Sequence, residues 1–237
     1  MRLPHFPLHT VLFPHLPLPL HLFEERYRAM ASDLMAPDSP WGGRLVVSMI
    51  TSGPEVGGDA MTQGVGTICE VHSAEQFPDG RWLVLVVGVA RAHVASIDRS
   101  GPYAVAEADP IDDPVGPDAA PLVPAVQRAL DAYLATVKRF VARVASGGDD
   151  PLESPDMRAS LDAVLKPIQL PDDPVAASYA VGGVLQVELS RKQQLLELPD
   201  AATRLRAELE LLRREVRLLD DGSMPPIPAG DLGYHPN

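Results

Sequence analysis

Apolar residues crowd the first twenty-two positions, and prolines interrupt them. Phe6, Leu8, Leu12, Phe13, Leu16, Leu18, Leu20 and Leu22 are too apolar to stay solvated, while Pro4, Pro7, Pro14, Pro17 and Pro19 break every candidate helix. Proline fixes φ and removes a donor, so such a segment is extended but is not an interior strand of a flat sheet. It predicts two short edge strands joined by a bend and pinned to a core by their side chains. The period then changes. Phe23, Tyr27, Met30 and Leu34 recur at helical spacing, with Glu24 and Glu25 in the first turn, and the helix should end before Pro37. Residues 44–109 read as β. "RLVVSMI", "GVGTICEVHSA", "RWLVLVVGV", "ARAHVASI" and "YAVAEAD" are five strands, and Asp79-Gly80 signals a hairpin between the second and third. Residues 51–64 have no period and read as a long loop. Short strands with Gly and Pro turns suggest a small barrel-like sheet.

After Pro110 the pattern is helical. Asp-Asp-Pro occurs at 112–114, 149–151 and 172–174. Asp at the N-cap followed by Pro at the first helical position is a helix start, and the second and third copies fit best. Glu153 completes a capping box after the second. Val126, Leu130, Tyr133, Val137, Val141 and Val144 form one apolar face. Further helices are expected over 155–165 and 174–189, the latter weakened by Gly182-Gly183, and in "SRKQQLLEL" with Ser190 as cap. In the last helix Ala202, Leu205, Leu209, Leu212, Val216 and Leu219 step by three and four. That seam fits a homodimer coiled coil or a helix lying on its own domain; fewer than three heptads favour the second. The pattern divides the chain into a β-rich part, 1–112, a helical part, 113–219, and a tail, 220–237, too polar to pack.

Charge narrows the partners. The 237 residues carry a net charge of −12, which opposes nucleic acid, whose binding rests on Lys and Arg neutralising phosphates. In the last helix Arg204, Arg206, Arg213, Arg214 and Arg217 alternate with Glu208, Glu210 and Glu215, so no basic stripe forms. The opening lacks the basic start and unbroken apolar core of a signal peptide, and no run is long enough to span a membrane. The cytoplasm is therefore the expected location. Cys69, the only cysteine, permits no intramolecular disulfide and reads as a buried, inert thiol.

Catalytic patterns are missing. There is no GxxxxGK[ST] loop, no GxSxG elbow and no HExxH helix. "GVGTIC" lacks the third glycine of a dinucleotide fingerprint. Ser160 and Lys166 suit a helix and its exit better than a dyad. The acidic tripeptides lack the ligand alternation of a calcium loop. His5, His9, His15 and His21 all occupy odd positions, so an extended chain could gather some of them on one face; a metal or small-molecule site is one reading, and exposed polar positions between apolar ones is the plainer one. No cofactor is expected. Trp41, Phe77 and Trp82 stand at or beside loops and hairpins, where an aromatic is a core plug or a binding anchor. Met61, in the long loop, joins them as a flexible apolar contact.

Many of these residues follow a known order. "LPHFPLHTVLFPHLPLPLHLFEERYRAM", "GPEVGG", "VGT" at 65–67, "DGRWLVLVVGVARAHV", "PY" at 102–103, "LPDDPVAASYA" and "KQQLLEL" together resemble the Lon substrate-binding domain, the N-terminal domain of ATP-dependent Lon proteases. The likeness covers most of residues 1–219. His15 stands where that family usually has Gly, and Glu25 where it often has Pro. The resemblance implies an α+β fold: a PUA-like β pseudobarrel with one helix, followed by a helical subdomain. In full proteases an ATPase and a serine–lysine peptidase follow, and 237 residues have room for neither. The resemblance therefore implies a non-catalytic module that binds unfolded or apolar polypeptide segments as an adaptor or sensor, with Trp41, Met61, Phe77 and Trp82 as candidate contacts. Neither a membrane nor a nucleic acid is an expected partner, although PUA-like barrels raise RNA binding as the rival.

Overall fold

The computed structural model describes residues 1–57, 60–145 and 167–221. Its strands are β1 (Arg2–Leu8), β2 (Pro17–Leu22), β3 (Arg44–Ser52), β4 (Met61–Thr62), β5 (Val65–Gln76), β6 (Trp82–Asp98) and β7 (Val105–Pro110). The helices among the described residues are α1 (Glu25–Met35), α2 (Ala119–Ala145), α3 (Pro174–Val184), α4 (Leu189–Glu197) and α5 (Ala201–Asp220). The chain divides into two compact units. Among the described residues, one holds 1–57, 60–114 and 182–198; the other holds 115–145, 167–181 and 199–221.

In the first unit five strands form a closed ring. The order β1-β7-β6-β5-β3 runs antiparallel, and a parallel pairing of β1 with β3 joins its ends. The expectation of two edge strands at the N-terminus holds for β2 but not for β1, which closes the ring. Its prolines are compatible with this because β1 changes partners midway. Arg2–Pro4 pair with β7, and His5–Leu8 pair with β3. The His5 N–H reaches the Ala104 carbonyl at 2.9 Å, on the β7 side. Amides alternate along a strand, so Pro7 turns its donor-less nitrogen to the β7 side, beyond that pairing. Pro4 turns its own to the β3 side, before that pairing begins.

β6 is one strand of 17 residues rather than the two expected. Its register against β5 slips between Cys69↔Gly88 and Ile68↔Ala90, a bulge that bends the strand without ending it. Before the bulge β6 lies between β2 and β5; after it, between β7 and β5. The loop expected over 51–64 contains the short strand β4, paired with the end of β3.

Strand alternation sorts two cores. Leu3, Val46, Ile68, Ala92, Ala106 and Ala108 come one or two from each of the five ring strands, and their small size suits the interior of a narrow barrel. The larger cluster lies on the other face. Leu45, Val47, Cys69, Val84 and Val86 pack there with Leu20 and Leu22 of β2 and with Tyr27, Met30, Ala31 and Leu34 of α1. The segment from Gly182 belongs to the same unit. A Cβ at Gly182 would stand 2.8 Å from the Phe13 ring, and one at Gly183 would overlap Leu16. These close approaches accompany an earlier helix end than the expected residue 189. α4 begins at Leu189 with Glu188 at the cap, so Ser190 lies inside the first turn rather than capping it.

The second unit contains α2, most of α3 and α5. Asp173 accepts the Ala176 N–H at 2.8 Å, and Asp200 accepts the Thr203 N–H at 2.7 Å, so both helices start on an Asp cap. α2 buries Val126, Leu130 and Tyr133 but leaves Val141 exposed. α5 packs along α2 and buries Ala202, Leu205, Leu212 and Leu219, with Leu209 and Val216 half-buried. Arg204, Glu208 and Glu215 are buried too, although none of them belongs to the apolar seam. The Asp149–Pro151 helix start, the helix expected over 155–165, the Val144 side chain and the tail beyond Asp221 lie outside the described residues.

Candidate functional site

The front half of β6 carries two apolar faces. Trp82, Val84 and Val86 point into the larger core. Leu83, Leu85, Val87 and Val89 therefore point the other way. Leu83 is 44% exposed and Val89 38%, with Leu85 and Val87 half-buried between them. Register fixes the borders of this stripe. Pro17, Pro19 and His21 of β2 stand opposite Val87, Leu85 and Leu83. Glu70, Ser73 and Glu75 of β5 stand opposite the same three from the other side.

The stripe ends in rings. His21 lies 6.1 Å from Phe23 and 6.4 Å from Phe77, centroid to centroid, and the Arg81 guanidinium sits 5.8 Å from the Phe77 centroid. Phe77 owes its place to the hairpin: its N–H donates to the Arg81 carbonyl at 2.8 Å, and Asp79 accepts from the Arg81 N–H at 3.1 Å. Hydrogen bonds from the Arg81 N–H and then from its guanidinium, at 2.7 Å, hold the exposed Asp79 carboxyl below its ordinary pKa. Arg28 of α1 donates to the Gly80 carbonyl at 2.8 Å and fixes the tip from below.

Of the four residues singled out from the sequence, Trp41 and Trp82 pack against the same larger core. The Trp41 indole donates to the Tyr103 hydroxyl at 3.0 Å, and that hydroxyl donates to Asp33 at 2.6 Å. Burial, then the Asp33 partner, push the Tyr103 pKa up to about 12. The Trp82 N–H is buried without a hydrogen-bond partner among the described residues. Phe77 stands at the hairpin, and Met61 sits on β4, 67% exposed. The sequence missed the outer stripe because "RWLVLVVGV" is apolar on both faces, and a continuous run reads as a fully buried strand. The Asp79-Gly80 turn and the two-residue spacing of Pro17 and Pro19 were the available signals for its register.

A second depression, about 520 Å³ and open, is lined by Glu24, Glu25, Arg26, Ala29, Gly57 and Pro102. Glu24 and Arg26 are engaged in holding the chain. Glu24 accepts the Gly57 N–H at 3.0 Å and pairs with Arg26 at 3.1 Å. Arg26 donates to the Glu55 carbonyl at 3.2 Å and lies 4.4 Å over the Tyr27 ring. Glu55 accepts the His9 N–H at 2.6 Å. The FEERY stretch thus ties residues 55–57 to the helix start.

The histidines part company. His5 is buried, with its pKa lowered to about 4 by burial and then by Arg99. His9 meets Glu55, His15 occupies a turn, and His21 joins the aromatic group. Among the described residues no three metal-ligating side chains converge. Cys69 is fully buried, its thiol donates to the Thr67 carbonyl at 3.3 Å, and burial raises its pKa far above the ordinary value. No helix among the described residues is long and apolar enough to cross a membrane.

Solved structures share this architecture. The crystal structure of a Lon N-terminal domain protein from Xanthomonas campestris superposes with a TM-score of 0.59 at 20% identity, covering 89% of this chain and 98% of that one. The N-terminal domain of a Mycobacterium avium complex Lon protease gives 0.59 at 18%, covering 90% and 98%. Among curated proteins, the Lon protease of Desulfovibrio desulfuricans is 30% identical over 212 residues, 88% of this chain and 22% of that protein. The Escherichia coli K12 Lon protease is 25% identical over 222 residues, 92% and 25%. The chain thus spans about a quarter of the length of these relatives. Residues 2–214 match the family described as the ATP-dependent protease La (LON) substrate-binding domain, and to that family this chain belongs.

Proposed function

We propose that the chain binds apolar polypeptide segments on the outer face of the β2–β6–β5 sheet and performs no covalent step on them. It would act in the cytoplasm as a recognition module, an adaptor or sensor for exposed chain. The observation that carries this reading is the exposed stripe Leu83, Leu85, Val87 and Val89, running to the His21–Phe23–Phe77 rings. Apolar surface left in water beside aromatic anchors is the usual chemistry of a protein contact. The family's substrate-binding description supports the same reading. Phe77 is then a direct contact, Trp41 and Trp82 stiffen the sheet from its core side, and Met61 adds an outlying apolar contact.

The test is a titration of a permanently unfolded, carboxymethylated protein and of apolar peptides, followed through the fluorescence of Trp41 and Trp82. Saturable binding is expected. Leu83→Asp with Val87→Asp should weaken it about tenfold or more, because both charges would enter the contact. Absence of saturable binding to any polypeptide would overturn the reading.

A further inference from the structure

The two borders of this sheet are built differently. Among the described residues β2 pairs with β6 alone, and its open side carries Pro17 and Pro19. The Gly88 N–H donates to the Leu16 carbonyl at 3.0 Å, so even-numbered residues of front β6 direct their amides to β2 and odd-numbered ones to β5. Leu18 and Leu20 therefore bond to β6, while Pro17 and Pro19 turn outward. That edge is closed to a further strand.

Among the described residues, the β5 edge is open. β3 leaves β5 after Arg44↔Glu70, and the Val71 N–H makes a last bond to the Gly43 carbonyl at 2.9 Å. Beyond this, Ser73 and Glu75 stand opposite Leu85 and Leu83 and exchange their amides with β6. The amides and carbonyls of Ala74 and Gln76 face outward, and no proline blocks them. His72, Ser73, Glu75 and Gln76 are exposed, and Ala74 is half-buried at the rim of the larger core with Val71 and Trp41.

We propose that the free edge of β5 over Ala74–Gln76 adds an extended client segment as a further strand, by main-chain hydrogen bonds. This rests on the polypeptide-binding reading above and specifies how the client is held. Side chains of an added strand alternate. One set would lie over the apolar rim made by Ala74, Val71 and Trp41; the other would lie beside Ser73 and Glu75. The fitting occupant alternates apolar and basic residues. Glu75 and the net charge of −12 supply the complement. A second copy of this chain is the poorer occupant, because opposing Ala74 to Gln76 of the copy puts Glu75 against Glu75.

The test uses an end-capped eight-residue peptide of alternating Val and Lys, and two versions N-methylated on all Val or on all Lys nitrogens. In a strand all Val amides face one side and all Lys amides the other. Strand addition predicts that one methylated version binds about tenfold or more weakly than the parent and the other within about twofold, since two or more hydrogen bonds are lost in one case and none in the other. Ala74→Pro with Gln76→Pro, which copies the spacing of Pro17 and Pro19 without touching the β6 ladder, should weaken the parent peptide similarly. Equal binding of the two methylated versions overturns strand addition and leaves side-chain docking on the outer stripe. No binding of the parent peptide overturns strand addition, and it falls together with the polypeptide-binding reading if the unfolded protein also fails to bind.

Discussion

Arg91 spreads its guanidinium over four oxygens while only 1% exposed. It donates to the carbonyls of Leu196 at 2.9 Å, Leu198 at 2.6 Å and Asp112 at 2.9 Å, and pairs with Asp113 at 2.8 Å. Two of these carbonyls lie at the C-terminal end of α4, where a cation also meets the helix dipole. One side chain of the ring thereby holds both the exit from β7 and the returning helix. Arg91→Ala leaves those acceptors buried and unpaired and should cost about 3–5 kcal/mol in urea unfolding. Arg91→Lys should recover only part, since an ammonium is a point charge where a fork is required. His15 is the opposite case. Its φ is +66°, in the left-handed region that favours Gly. His15→Gly should be neutral or stabilise by about 1 kcal/mol, and His15→Val should destabilise by about 1–2 kcal/mol, because a branched Cβ is the worst tenant of that region. Had the two variants equal midpoints in urea, backbone strain at this position would be excluded.

Elements were legible where one period or one turn governed them. The Asp cap of α3, the Asp79-Gly80 hairpin and the α1 face each follow from local chemistry, and the strand pattern together with the family likeness supplied the barrel. What local pattern hid were features set by partners distant in sequence. β1 reads as an edge because its prolines are visible but its change of partner at His5 is not. β6 reads as two strands because Gly88 looks like a break, whereas it sits against the Phe13 carbonyl, where a Cβ would come within 2.6 Å. The outer stripe was hidden for the same kind of reason, since only register separates Leu83 from Val84. Glu25 yields a prediction at this scale. It is the first residue of α1, where the N–H has no helical acceptor. Proline there loses no hydrogen bond. Glu25→Pro should stabilise by about 0.4–1 kcal/mol, while Ala29→Pro, one turn further in, should cost about 3 kcal/mol or more. Thermal melts of the two variants give opposite signs if the helix starts at Glu25.

Across the whole molecule, each unit carries a buried titratable group, and the two respond to pH in opposite directions. His5, inside the barrel unit, stays neutral when folded. Its pKa falls from 6.5 to about 4, through burial and then Arg99, and its Nε2 has no hydrogen-bond partner among the described residues. As pH drops below 6.5 the unfolded chain takes up a proton that the folded barrel refuses. Stability is therefore lost across the window from 6.5 to about 4, by roughly 3 kcal/mol at its lower end. Glu208, in the helical unit, is fully buried, and neither carboxylate oxygen has a hydrogen-bond partner among the described residues. Burial raises its pKa well above the ordinary value of 4.5, against the pull of Arg204. Its folded state prefers the proton, so this stability is complete below 4.5 and is lost as pH rises through the folded pKa. Between pH 7 and pH 5 the barrel strands should lose protection in hydrogen exchange, after correction for intrinsic rates, while α5 gains it. His5→Phe should remove the first trend, and Glu208→Gln should remove the second and raise the thermal midpoint at neutral pH. Parallel loss of protection in both units as pH falls would show that neither buried group governs its surroundings as described.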